Sequence, residues 1–124
     1  MARLKEIVID AAHPAALARF WAAVLTDYGV RPYDDVEIAR LAALGFTPET
    51  DPGVMIDGPG PSLCFQHVAK QSPKGRLHLD VVGGWRPAEV ARLTALGATV
   101  REAHETFTVM LDPEGNAFCV QDPR

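Results

Sequence analysis

The sequence predicts an α+β domain of duplicated design, and three observations carry that prediction. Short strand-like runs, such as Leu4 to Asp10 and Leu77 to Val82, are separated by stretches whose apolar residues recur at helical spacing. The chain also echoes itself. Pro14-Ala15-Ala16-Leu17-Ala18-Arg19-Phe20 resembles Pro87-Ala88-Glu89-Val90-Ala91-Arg92-Leu93, and Val54-Met55-Ile56-Asp57 resembles Val109-Met110-Leu111-Asp112. Repeats at such spacing suggest two similar supersecondary units. Between the halves lies a polar linker, Lys70 to Gly75, carrying Pro73 and Gly75.

The elements follow in order. Leu4 to Asp10 alternates, so that Glu6, Val8 and Asp10 share one face of a strand and Ile7 and Ile9 the other. A charged face in a first strand points to a polar cavity or to solvent. Pro14 suits the first position of a helix. Leu17, Phe20, Trp21, Val24 and Tyr28 then form its expected apolar stripe, with Gly29 as terminator. Asp34 or Asp35 can cap a second helix that runs through Ile38, Leu41 and Leu44 to Gly45.

The turn-rich stretch Thr47 to Gly53 leads into a strand pair, Val54 to Ile56 and Leu63 to Val68, joined by Asp57-Gly58-Pro59-Gly60-Pro61. Beyond the linker come a strand at Leu77 to Val82 and a helix from Pro87 to Leu96, with Val90, Leu93 and Leu96 inward and Gly97 ending it. Strands near Thr99 to Arg101, Thr106 to Leu111 and Ala117 to Val120 complete the chain. A second internal match, Ala39 to Gly45 with Ala91 to Gly97, is closer letter by letter. It reads as two alanine-rich helices with similar endings, the first being an insertion.

Composition narrows the function. At 124 residues the chain suits a single domain with one core, burying roughly two-thirds of the surface exposed by the unfolded chain. An apolar fraction of 48% with 23% charged residues is that of a globular protein. A net charge of −4 offers no footprint for a phosphate backbone, so nucleic acid is not an expected partner and a small molecule is. No apolar stretch approaches the roughly 20 residues of a membrane span, and no signal-peptide pattern opens the chain. A cytoplasmic protein that does not enter a membrane is expected. Cys64 and Cys119 are too few for a disulfide scaffold and read as reduced thiols.

Two landmarks carry a family resemblance: Arg76-Leu77-His78-Leu79-Asp80 opening one strand, and Asp112-Pro113-Glu114-Gly115-Asn116-Ala117-Phe118-Cys119-Val120 closing the chain. With the helix between them they resemble the second half of a glyoxalase-like domain of the vicinal oxygen chelate superfamily. The resemblance implies two βαβββ modules forming a cupped, mixed β-sheet. The first module would take residues 1–70 with a helical insertion at 35–45, and the second residues 75–124. It also implies a homodimer. Periodicity alone leaves a ferredoxin-like dimeric α+β barrel open as well.

In metal-dependent members of that superfamily each module supplies one ligand from its first strand and one from its last. The corresponding positions here are Glu6, Gln66, His78 and Cys119. His78 matches a ligand histidine. Glu6 stands where His or Gln is usual, Gln66 replaces a carboxylate, and Cys119 replaces the Glu that follows the Asp-Pro-x-Gly-Asn turn. A divalent metal (zinc, nickel, iron or manganese) is therefore one expectation, and a metal-free cup the other. With metal the family chemistry is isomerase, lyase or dioxygenase type. Without it, the likeness is to sequestering proteins of the bleomycin-resistance type. A thiol at position 119 suits zinc and suits magnesium or manganese poorly.

For the organic ligand, Arg76 and Asp80 share a strand face with His78, where Arg76 could meet an anion and Asp80 could equally pair with Arg76. Trp85, beside Gly83-Gly84, is a candidate for a pocket rim or an interface. His13 reads as an exposed helix-entry residue, His67 as pointing away from Gln66, and His104 as a loop or strand-edge residue. The Asp112 to Asn116 segment reads as a turn whose residues serve backbone conformation.

Overall fold

A computed structural model describes residues 1–70 and 77–123. Arg76 and most of the linker lie outside the described residues. The chain divides into two compact units, Val8–Arg76 and a second made of Met1–Ile7 with Leu77–Arg124. The first strand, β1 (Arg3–Ala11), straddles that division.

The unit Val8–Arg76 continues from β1 through α1 (Pro14–Val24), β2 (Gly29–Val30), α2 (Asp35–Ala43), β3 (Gly53–Asp57) and β4 (Ser62–His67). Its strands are ordered β2-β3-β4-β1. β3 is antiparallel to both β2 and β4, with Val54 opposite Phe65 and Ile56 opposite Leu63. The core joins Ala11, Ala15, Ala18, Val54, Ile56 and Phe65. Arg31 grips Asp57 through two hydrogen bonds of 2.7 Å, and Ser62 adds a third. These partners hold the Asp57 carboxyl down at about 2, Arg31 foremost. Tyr33 donates to the buried Asp51 carboxylate at 2.7 Å.

The helix faces differ from those the periodicity predicts. α1 buries Pro14, Ala15 and Ala18, whereas Phe20, Trp21 and Val24 are exposed, Phe20 to 56%. The small face wins because alanines let the helix axis approach the sheet closely. The large residues are thereby rotated outward, where Phe20 and Trp21 pack edge to face. The helix also ends at Val24, so Tyr28 lies beyond it and Gly29 begins β2. In α2 only Leu41 is buried; Ile38 and Leu44 are exposed. Asp34 is the cap, accepting from the Glu37 N–H at 2.8 Å, and Gly45, with φ of +85°, closes the helix.

The other unit contains β5 (Leu77–Val82), α3 (Arg86–Ala95), β6 (Thr99–Ala103), β7 (Phe107–Leu111) and β8 (Ala117–Gln121), ordered β5-β8-β7-β6. Element for element this repeats the strand–helix–three-strand plan of the first unit, α2 being the extra helix. β5 and β8 are parallel; β7 is antiparallel to β8 and β6. Val90 and Leu93 of α3 pack with Val81, Met110, Phe118 and Val120, while Leu96, expected inward, is exposed beyond the helix end.

Arg86 staples this unit together. Its guanidinium donates to the His104 carbonyl at 2.9 Å, to Thr108 Oγ1 at 3.1 Å and to the Glu105 carbonyl at 2.8 Å, and Nε lies 2.8 Å from Asp122 Oδ1. The Asp112 to Asn116 segment forms the expected turn. Asp112 Oδ1 accepts from the Glu114 and Asn116 N–H groups, and Gly115 adopts a φ of +88°.

The internal echo pairs the right elements out of phase. β3 and β7 occupy equivalent places, yet β3 buries Val54 and Ile56 whereas β7 buries Thr108 and Met110. Aligned by burial, Ile56 corresponds to Met110, one position away from the letter match. Strand faces have a period of two, so a shift of one residue exchanges inside for outside.

Candidate metal centre

The centre arises from two features of backbone geometry. In the parallel β5–β8 pair, Asp80 stands directly beside Cys119. Alternation then places His78, two residues before Asp80, on the same face. Leu79, Val81, Phe118 and Val120 have the opposite parity, and Val81, Phe118 and Val120 pack with α3. His78, Asp80 and Cys119 therefore project from the face opposite α3, and their donor atoms all lie within 4.8 Å of one another.

Asp80 is 4% exposed, and His78 and Cys119 are half-buried. His78 Nε2 stands 3.4 Å from Asp80 Oδ1. The contact is an ion pair when the imidazole is protonated, and among the described residues Oδ1 has no hydrogen-bond partner. The Asp80 and Cys119 side chains raise His78 to about 10 against the opposing effect of burial. Burial pushes the Asp80 carboxyl up, but the His78 imidazole and the nearby Glu6 outweigh it and hold the carboxyl below the usual range.

This donor set fits a divalent cation. An imidazole, a carboxylate and a thiol are all zinc ligands, and in a tetrahedral zinc site with bonds of about 2.0–2.3 Å the donors stand about 3.5 Å apart. A buried carboxylate oxygen without a hydrogen bond is costly unless a positive partner offsets it; the protonated His78 at 3.4 Å is one such partner, and a bound cation would be another. The thiol disfavours magnesium and manganese.

Of the expected ligands, the structure brings His78 and Cys119 together and adds Asp80, for which the sequence suggests an organic ligand or a pairing with Arg76. Period-two spacing from His78 was the available signal. Glu6 is near enough to Asp80 to help hold its carboxyl below the usual range. Gln66 is exposed on β4, in the other unit. Trp85 is 74% exposed as the residue preceding α3. Arg76 lies outside the described residues. His104 stacks on Phe107 at 4.4 Å. His13 and His67, both exposed, line a cleft of about 430 Å³ in the Val8–Arg76 unit with Pro14, Glu49 and Thr50. Glu49 there is already held by Arg19 through two hydrogen bonds.

A family model described as a glyoxalase-like domain matches residues 6–121. Among solved structures, the chain is similar to a glyoxalase/bleomycin resistance protein/dioxygenase superfamily member from Vibrio splendidus 12B01, with 8% identity and a TM-score of 0.59 over 99% of this chain and 100% of that one. It is similar to hypothetical protein BH1468 from Bacillus halodurans C-125 at 10% identity and a TM-score of 0.61, covering 99% and 95% of the two chains. A structure of NAD-dependent benzaldehyde dehydrogenase from Legionella pneumophila matches at 13% identity and a TM-score of 0.60, covering 95% and 97%. At these identities the likeness is one of fold. No curated protein matches the chain.

Proposed function

The chain belongs to the glyoxalase-like domain family of the vicinal oxygen chelate superfamily, and from that premise we propose that it binds a divalent cation of zinc type through His78, Asp80 and Cys119 and receives a small polar or anionic organic molecule beside it. The observation that carries this reading is the buried Asp80 Oδ1, without a hydrogen bond among the described residues, within 4.8 Å of an imidazole nitrogen and a thiol. Three protein ligands leave a fourth position for water or ligand. A cation bound there would polarise ligand oxygens as a Lewis acid, the chemistry of isomerase, lyase or dioxygenase reactions. Without the cation, Asp80 pairs with the protonated His78. Residues 1–124 would act as one domain in a cytoplasmic homodimer.

The test is metal analysis of the native-purified protein beside His78→Ala, with zinc and cobalt offered at controlled stoichiometry. One metal per chain, lost in the variant, with a thiolate-to-cobalt charge-transfer band, supports the reading. The absence of metal uptake in both proteins sinks it. That outcome would favour a metal-free sequestering protein of the bleomycin-resistance type, a reading supported by the His78–Asp80 ion pair, which already gives the carboxylate a cationic neighbour.

A further inference from the structure

We propose that Cys119 makes the metal centre responsive to oxidation: a peroxide releases the cation from His78, Asp80 and Cys119, and a thiol reductant restores binding. This rests on the metal-binding reading above and adds a regulatory property to it. Of the three donors, only the Cys119 sulfur can be oxidised by a mild peroxide; the imidazole and carboxylate are inert to it. The family resemblance expects a glutamate at this position, so the sensitivity belongs to this chain's own residue.

The geometry supports both halves of the cycle. Cys119 is half-buried rather than sealed in the core, and hydrogen peroxide is little larger than water. Its cross-strand neighbours are Asp80 on β5 and Val109 on β7, so no second thiol stands in register to trap it as a disulfide. The thiolate attacks one peroxide oxygen. A sulfur–oxygen bond forms, the oxygen–oxygen bond breaks and hydroxide leaves, so sulfur is oxidised to sulfenic acid and the peroxide is reduced. The site then loses an anionic sulfur ligand, leaving only His78 and Asp80. A small thiol condenses with the sulfenic acid, releasing water, and a second thiol attacks the mixed disulfide, regenerating Cys119 and giving the oxidised small thiol.

The experiment follows zinc release from the zinc-loaded full chain with a chromogenic indicator during hydrogen peroxide treatment, then zinc uptake after dithiothreitol. The proposal expects release from the wild type and from Cys64→Ser, recovery on reduction, and retention by Cys119→Asp, whose carboxylate replaces the thiolate. Retained zinc in wild-type protein whose Cys119 has gained one oxygen by mass overturns the gating alone. So does loss of the response in Cys64→Ser, an arm that holds even if Cys119→Asp does not fold. Failure of the reduced protein to take up zinc overturns both the gating and the metal-binding reading.

Discussion

Asp80 and Cys119 are lateral neighbours in a parallel strand pair, one of them a buried carboxylate whose Oδ1 has no hydrogen bond among the described residues, the other a half-buried thiol. Their adjacency is set by backbone register, so it persists when either side chain is changed. Asp80 can therefore be tested as a ligand without dismantling the strands. Asp80→Asn keeps the shape and removes the charge. Because altering even a residue that merely orients a ligand costs about 10–100-fold in metal affinity, Asp80→Asn should weaken zinc binding at least about 100-fold in a competitive chelator titration.

Arg86 should be among the most sensitive positions for stability. Its side chain is 16% exposed and serves two carbonyls, a hydroxyl and a carboxylate. Arg86→Met leaves those acceptors without their donor and should cost about 2–4 kcal/mol in urea unfolding. Arg86→Lys should recover only part of that, because an ammonium cannot reproduce the planar fork.

In α1 the expected order of sensitivity is the reverse of residue size. Ala18 is fully buried while Val24 is 51% exposed. Ala18→Leu should destabilise by about 1–3 kcal/mol through overpacking, and Val24→Ala should stay within about 0.5 kcal/mol. Equilibrium denaturation of the two variants side by side measures this.

Asp57 should contribute to the acid limb of stability. Its carboxyl is held at about 2, below the usual carboxylate value, by Arg31 and Ser62. A depressed folded-state pKa means stabilisation that is present above the unfolded-state value of about 3.9 and lost as pH falls through the folded value. Between about pH 4 and pH 2, Asp57→Asn should therefore lose less stability than the wild type when thermal unfolding is followed across that range.

The order of strands and helices was largely legible in the sequence, because punctuation by Pro, Gly and Asp is local: Pro14, Asp34, Gly45 and Gly97 all mark helix ends where expected. What the sequence concealed was which helix face turns inward. Helical periodicity locates Phe20, Trp21 and Val24 on one side, but the choice between that side and Ala15/Ala18 depends on how closely the sheet approaches. The candidate site was half legible. His78 and Cys119 stood out through the resemblance, whereas Asp80's place beside Cys119 required the β5–β8 register, which no local pattern encodes. Gly29 was read as a helix terminator, yet it opens the short strand β2, since the chain leaves the helix after Val24.

The one-residue offset between β3 and β7 has a practical consequence for anyone building a symmetric protein from one half of this chain. Splicing the halves where their letters agree would put Met55 in the place of Met110, turning a partly exposed position into a fully buried one and moving Val54 and Ile56 out of the interior. A splice that equates Ile56 with Met110 keeps each interior side chain inside. The ancestry suggested by the letters and the packing followed by the strands thus prescribe different joints, and only the second should yield a folded duplicate.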